Sequence, residues 1–213
     1  MLNDAEPHEA PLNMAMDEAL LQTSHTGVLR IYRWARPAVS FGYFSRFDEA
    51  REFAAGREMV RRWTGGGMVP HGEDFTYSLI IPSADCACAI SSKEIYSRVH
   101  AAIVSALRKA GANVELATRD QPRRSDACFA NAVVADVLES GLKIAGAAHR
   151  RTRAGLLHQG SIQRPNLGGT FVRRFCGCLA NACSAMTLNA AVMAQAEHLA
   201  REKYSSATWL RRR

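Results

Sequence analysis

Arg61-Arg62-Trp63-Thr64-Gly65-Gly66-Gly67-Met68-Val69-Pro70-His71 is the stretch on which the reading of the fold turns. Met59 to Arg62 reads as a short strand that runs straight into the glycines. Three glycines in a row strip a length of backbone of every side chain. A ligand can then lie against the peptide groups, whose N–H donors can hold an oxyanion. Arg61 and Arg62 add charge that could bind a phosphate or carboxylate. No Gly-Lys-Ser/Thr follows, so this is not a Walker loop, and the glycine spacing is wrong for a dinucleotide fingerprint. A flexible turn between two strands suits the same residues, and spacing alone leaves both readings open.

Upstream, Pro11 to Leu21 reads as a helix with Leu12, Met16, Ala19 and Leu20 on one face. Val28 to Trp34 and Ala38 to Phe41 read as strands parted by the Arg36-Pro37 turn, and Asp48 to Phe53 as a short helix. Downstream, Phe75 to Ile81 is a strand stopped by Pro82. Ser92 to Ala110 is the clearest helix. Ser91 and Glu94 have capping-box spacing, Ile95, Val99, Ile103 and Leu107 recur on one face, and Gly111 ends it. Val114 to Leu116 follows as a strand. Ala132 to Leu138 and Leu142 to Ala148 then predict a hairpin around Glu139-Ser140-Gly141. Leu156 to Gln163 is another strand, and Leu188 to Tyr204 a helix with Leu188, Val192 and Leu199 inward. Strands come in runs punctuated by helices, without strict alternation. The expected class is α+β, with a mixed, mainly antiparallel sheet flanked by helices.

The chain has 213 residues, 47% hydrophobic and 22% charged, which excludes a wholly disordered, collagenous or coiled-coil protein. With no repeat, low-complexity tract or Pro/Ser-rich linker, one domain over residues 1–213 is the simplest parse. The net charge of +7 permits nucleic acid, an acidic membrane surface or an acidic protein partner, and does not choose among them. The first eleven residues carry Asp4 and Glu6 and no apolar run, so no secretory signal is read there. Cys176 to Ala196 has no charge but is Ala-rich and broken by polar residues; it reads as loop plus buried helix. The six cysteines, at 86, 88, 128, 176, 178 and 183, are then expected as reduced thiols in the cytoplasm. Their spacing lacks a zinc pattern, and no metal site is predicted.

Three further places could carry chemistry. In Gly141-Leu142-Lys143-Ile144-Ala145-Gly146-Ala147-Ala148, strand alternation puts Lys143, Ala145 and Ala147 on one face and Ile144, Gly146 and Ala148 on the other. A lysine among small residues could hold a carbonyl or phosphate oxygen as charge develops; a solvated lysine at a hairpin rim is the plainer reading. Cys128-Phe129 precedes this hairpin, and a thiol near a lysine could be an activated nucleophile or a buried structural cysteine. His71 and His158-Gln159-Gly160 are weaker candidates. His149 with Arg150, Arg151 and Arg153 reads as an exposed basic cluster.

In order, these segments resemble the biotin/lipoate A/B protein ligase superfamily, which includes lipoate–protein ligases and octanoyltransferases. The matching residues are Asn13 to Leu20, Leu29 to Trp34, Ala38 to Gly42, Arg61 to His71, Cys128-Phe129, Lys143 to Ala148, His158 to Ile162, and Lys203-Tyr204 with Trp209. The resemblance runs nearly end to end and implies the superfamily's catalytic-domain fold. It implies transfer of an octanoyl or lipoyl group to a lysine of a lipoyl domain, of the kind found in 2-oxoacid dehydrogenases and the glycine cleavage system. Arg62, Thr64 and Gly65 to Gly67 carry over as substrate-binding residues, with His71, Gly146, Ala148 and Gly160. Lys143 carries over as the residue that holds the acyl carbonyl.

Two branches follow from the resemblance. Ligases form an acyl-adenylate with ATP and Mg2+, and usually carry a C-terminal accessory domain. Octanoyltransferases need no cofactor and take the acyl group from acyl carrier protein through a cysteine thioester. The chain ends at Arg213, soon after Trp209, so no accessory domain is expected, and Cys128 matches the nucleophile of one octanoyltransferase subgroup. That subgroup usually has proline a few residues later, where this chain has Asn131-Ala132-Val133. Octanoyl transfer with Cys128 and Lys143 as catalytic residues is the expectation. The ligase is the alternative, and a non-catalytic basic binding module a third. Neither nucleic acid nor membrane is an expected partner.

Overall fold

The computed structural model describes residues 1–121, 131–164 and 167–212. Its elements are β1 (Leu2–His8), α1 (Ala10–Thr23), β2 (Val28–Trp34), β3 (Ala38–Phe41), α2 (Phe47–Ala54), β4 (Glu58–Arg61), β5 (Met68–His71) and β6 (Phe75–Pro82). Then come α3 (Ser92–Arg108), β7 (Val114–Leu116), β8 (Val137–Glu139), β9 (Leu142–Thr152), β10 (Gly155–Ile162), α4 (Gly169–Leu179), α5 (Ala190–Leu199) and α6 (Ala207–Leu210). A seven-stranded sheet has the order β1-β2-β6-β10-β9-β8-β7, parallel at β1–β2 and antiparallel elsewhere. A three-stranded sheet, β4-β3-β5, pairs β3 parallel to β4 and antiparallel to β5. The α+β class with a mixed, mainly antiparallel sheet is therefore the observed one.

Alternation along the central strands sends two side-chain sets to opposite faces. Leu29, Ile31, Tyr77 and Leu156 join Ile95, Val99, Ile103 and Leu107 of α3 and Phe171 and Phe175 of α4 in one core. Val28, Tyr32, Ile80 and Leu157 join Met14, Ala15 and Leu21 of α1 and Val192 and Ala196 of α5 in another. Burying each of the large apolar side chains contributes about 1.5–3 kcal/mol before entropy. α3 begins as its sequence predicts: Ser91 Oγ accepts the Glu94 N–H at 3.1 Å.

Three departures from the sequence reading bear on function. The predicted strand over Ala132 to Leu138 shrinks to Val137–Glu139, because 132–136 is a loop folded around Asp136. The turn after it is correct: Ser140 and Gly141 both have positive φ, 51° and 77°, as a tight hairpin requires. Within β9 the alternation fails. Val137 pairs with Ala145 but Leu138 pairs with Lys143, so one extra residue, Ile144, bulges out of the ladder. The bulge turns Lys143 onto the same face as Gly146 and away from Ala145, which is buried in the α3-side core. Finally, β1 and α4 lie where the sequence showed no element, and Leu188 to Tyr204 splits into α5 and a π-helical turn, Ala200–Tyr204. Among the described residues no helix is long and apolar enough to cross a membrane.

Candidate active site

Sheet register lays the floor of the site. One cross-strand row runs Tyr32–Thr76–Ser161–Gly146, and the next runs Arg30–Ser78–Gln159–Ala148. Above the first row lies a narrow cavity, lined also by Met14, Trp34, Ser40, Arg62, Val69 and His71. The wall is largely apolar, with a few polar groups fixed by buried bonds, as small-molecule sites usually are.

The buried polar residues of α1 explain why Asn13 and Asp17 sit inside an apolar helix. Arg30, fully buried on β2, donates to Asp17 Oδ1 at 2.8 Å, Asn13 Oδ1 at 2.7 Å and Asp4 Oδ2 at 2.8 Å. Asp17 Oδ2 accepts from Ser78 at 2.5 Å and Gln159 Nε2 at 2.7 Å. Gln159 Oε1 then accepts Thr64 Oγ1 at 2.7 Å. A continuous bonded path thus runs from α1 through the floor to the residue before the glycines, so no buried charge or amide in it is left unsatisfied.

The two arginines do different work. Arg61 is fully buried and spends its donors on backbone carbonyls: Gly42, Tyr43 and Ser45 on one side, Trp209, Leu210 and Arg212 on the other. It ties the last helix to β4 and is no ligand for an anion. Arg62 Nη2 donates to the carbonyls of Gly65 and Gly67, both at 2.9 Å, and Nη1 to Ser40 Oγ at 2.8 Å. Ser45 Oγ donates to the Gly66 carbonyl at 3.2 Å. Because a trans peptide points N–H opposite to C=O, the Gly66 N–H faces away from Arg62. Gly66 has φ +84°, and a Cβ there would lie 3.4 Å from Ala148 Cβ; a Cβ on Gly42 would lie 1.9 Å from the Gly66 oxygen. Gly65 to Gly67 therefore pass over Ala148 at the rim, while Arg62 reaches the cavity itself.

His71 closes another wall. Its ring stacks on Trp34 with centroids 4.0 Å apart. Nε2 is 2.6 Å from Ser40 Oγ, and Nδ1 is 2.8 Å from Asp74 Oδ2. Arg62 already donates to Ser40, so the arrangement that satisfies all three has Ser40 donating to Nε2 and Nδ1–H donating to Asp74. Asp74 also accepts from Thr76 at 2.9 Å and Ser161 at 2.6 Å. Burial works against the Asp74 charge, but His71 and the bonds from His71, Ser161 and the Gly72 N–H outweigh it and hold the carboxyl below its usual range.

Lys143 stands beside the floor, against Gly146. Its side chain is 4% exposed and its Nζ is 2.7 Å from Asp136 Oδ2. A Cβ on Gly146 would sit 2.6 Å from Lys143 Cε and 2.8 Å from its Nζ, so the lysine lies directly on that glycine. Gly160 is different. Its missing Cβ would meet the Tyr77 ring at 2.2 Å on the α3 side, so its side-chain face belongs to the core and only its backbone borders the cavity. Thr64 is likewise not on the wall; it acts through Gln159.

Cys128 and Phe129 lie outside the described residues. Gln121 and Ala132, which flank that stretch, are joined by an N–H to carbonyl bond of 2.8 Å, next to the Asp136 loop. His149 is not exposed as its arginine neighbours suggested: its Nε2 is 2.6 Å from His158 Nδ1, and burial, with His100 and Arg151, pushes it down to about 4. Arg150 packs on Tyr43 and Trp63, and Arg151 donates to the Cys88 and Ile90 carbonyls, so the basic cluster is partly structural. Among the described residues no group of three or more His, Cys, Asp or Glu is arranged to hold a metal ion. Sequence reasoning missed Trp34, Ser40, Asp74, Tyr96 and Asp136 as site residues. Trp34 and Ser40 lay inside segments that match the family, and Asp136 stood out as an acidic residue inside a supposed strand.

Comparison with known proteins agrees with this architecture. The octanoyltransferase LipM of Oceanobacillus iheyensis is 36% identical over 165 residues, covering 73% of this chain and 60% of that protein. The LipM of Staphylococcus aureus is 33% identical over 168 residues, covering 70% and 60%. The chain thus spans about 60% of the length of the curated relatives it matches. Among solved structures, a bi-partite lipoate protein ligase from Thermoplasma acidophilum superposes with TM-score 0.74 at 21% identity, covering 98% of this chain and 94% of that one. LipL1 of P. falciparum in complex with lipoate gives 0.71 at 12% identity, covering 100% and 73%. These two likenesses speak for the fold. Residues 9–166 match the lipoyl protein ligase A/B catalytic domain, and the chain belongs to that family.

Proposed function

We propose that the protein transfers an octanoyl group, or a lipoyl group, to the acceptor lysine of lipoyl domains, with octanoyl delivered by acyl carrier protein through a thioester on Cys128. The observation that carries this reading is Lys143: a buried ammonium set on Gly146, the glycine that lines a largely apolar cavity. The octanoyltransferase names of relatives at 33–36% identity support it.

In the first step the Cys128 thiolate attacks the carrier's thioester carbonyl, a C–S bond forms to Cys128, and the carrier thiolate leaves and takes up a proton. In the second step the neutral acceptor amine attacks the Cys128 thioester. The amide forms, the thiolate of Cys128 is released, and the proton lost by the amine returns to it or to water. In both steps negative charge gathers on the carbonyl oxygen, where Lys143 offers its ammonium. Exchange between thioesters is nearly isoenergetic, so no ATP is required. Gly65 to Gly67, Arg62, His71, Gly146 and Ala148 bind and shape, Gly160 contributes backbone, and Thr64 braces the wall. The +7 charge suits acidic carrier and lipoyl domains.

The test is intact mass spectrometry of an apo lipoyl domain incubated with the enzyme and octanoyl-acyl carrier protein, or with ATP, Mg2+ and free octanoate or lipoate. Modification with the first donor only, lost in Cys128→Ala, is the expected result. Modification only with ATP would make this a ligase working through an acyl-adenylate. No modification with either would favour a binding module.

A further inference from the structure

The carboxylate that holds Lys143 is itself held from three segments. Asp136 is fully buried, and its Oδ2 takes Lys143 Nζ and the Val133 N–H, each at 2.7 Å. Its Oδ1 accepts the Tyr96 hydroxyl of α3. That hydroxyl also accepts the Ala147 N–H at 3.4 Å, from the strand that carries Lys143. One helical turn further along α3, His100 Nδ1 lies 2.7 Å from the Ala135 carbonyl. Burial pushes His100 down to about 4, so the ring is neutral and Nδ1 carries its proton towards that carbonyl. Ala135 has φ +71°, a left-handed conformation that a residue with a Cβ rarely adopts. Its own N–H is tied to the Ala117 carbonyl at 2.8 Å. A backbone strained in this way persists only where its surroundings over-determine it.

We infer that Tyr96 and His100 are positioning residues for the transfer reaction, acting through Asp136 to fix where the Lys143 ammonium stands over Gly146. The inference rests on the transfer reading above. Neither residue lines the cavity: Tyr96 reaches it through Asp136 and the Ala147 N–H, and His100 through the backbone before Asp136. A carboxylate held only by a lysine and one loop N–H can turn about its broad, two-fold χ2 and carry Nζ with it. Misplacing a group that must meet a developing oxyanion by about 1 Å costs on the order of a hundredfold in rate. Tyr96 blocks that rotation from one side, and His100 fixes the backbone immediately before Asp136.

Tyr96→Phe removes one oxygen, keeps the ring contacts and tests the inference with two readouts. The first is steady-state transfer: kcat should fall about tenfold with the donor KM within about twofold. The second is the acetylation rate of Lys143 by acetic anhydride, followed by peptide mass spectrometry against Lys93 and Lys109 in the same molecule. The relative rate at Lys143 should rise about threefold as the shielding carboxylate loosens. A purely structural tyrosine would leave that ratio unmoved. Asp136→Asn should cost about a hundredfold in kcat; if it does not fold, Tyr96→Phe decides alone. Unchanged kcat with an unchanged labelling ratio in Tyr96→Phe overturns the inference, as does a change confined to KM. The labelling arm needs neither donor nor acceptor. If the wild type transfers nothing, that arm still decides whether Tyr96 positions Lys143, and the failure belongs to the transfer reading.

Discussion

Two buried carboxylates hold groups at the cavity, Asp74 on one wall and Asp136 behind Gly146, and they hold different things. Asp74 gathers an imidazole, two hydroxyls and an N–H, and sets the stacked His71–Trp34 pair as a fixed surface. Asp136 gathers an ammonium, a phenol and an N–H, and sets a cation against Gly146. On the proposed transfer reading the first gives shape and the second meets charge. Function would then divide between them: damage at Asp74 should show in stability and binding, and damage at Lys143 in the chemical step.

The largest effect expected from this division is at Lys143. Lys143→Ala should lower kcat for octanoyl transfer by about a hundredfold to a thousandfold, the scale of losing an oxyanion donor, with little change in KM. A variant with raised KM and intact kcat would move Lys143 from chemistry to binding. Next comes a pair of glycines on neighbouring strands. Gly146→Ala pushes on the end of the Lys143 side chain and not on a ring, so its stability cost should stay below that of the second glycine while kcat drops about tenfold. Gly160→Ala drives a methyl into the Tyr77 ring and should cost about 1–3 kcal/mol of stability, with activity per folded molecule retained. Urea denaturation and kinetics on both variants check this, and the reverse pattern would break the division.

This pair also shows what the sequence could not reveal. Both glycines stand in motifs that the family resemblance marks as binding residues. Only the register, with β10 and β9 opposed at Ser161–Gly146 and Gly160–Ala147, shows that they face opposite sides of the sheet. The strand boundaries of β2, β3 and β7 were legible because each is a short segment rich in β-branched, aromatic or leucine residues. The bulge at Ile144 was not, because it comes from pairing with β8 and leaves no mark on local alternation. Asp136 was hidden for a similar reason: inside an apolar run it passes for a strand residue, and its partners lie 40 residues away in α3 and across the hairpin in β9. The glycine loop was legible as a special backbone. That Arg61 turns inward while Arg62 braces the loop is a matter of tertiary contacts alone.

Asp74 sharpens the other half of the comparison. Its carboxyl titrates lower in the folded chain than in the unfolded one, so the unfolded state binds more protons around pH 4. Its contribution is complete above the unfolded value of about 4 and is lost as pH falls through the lower folded value. Asp74→Asn should cost about 1–3 kcal/mol at pH 7. The gap to wild type should narrow below about pH 4. A gap that stays constant with pH would mean that the carboxylate charge has no part in holding His71.

The smallest effect is expected at His149, on the α3 face of the sheet. His100 and His149 are held down to about 4 by burial, and each sits near other histidines. In the unfolded chain each takes up a proton near pH 6.5, so stability should fall as pH drops from about 6.5 towards 4. His149→Gln should flatten that slope in urea midpoints measured across the window and leave transfer kinetics at pH 7.5 almost unchanged.

The most direct measurement is the mass of the enzyme itself after brief exposure to octanoyl-acyl carrier protein, with peptide mapping of any adduct. An octanoyl group on Cys128, released by hydroxylamine and formed far more slowly in Lys143→Ala, is the predicted result. An enzyme that acquires no adduct, yet modifies a lipoyl domain when given ATP and free octanoate, would contradict the account.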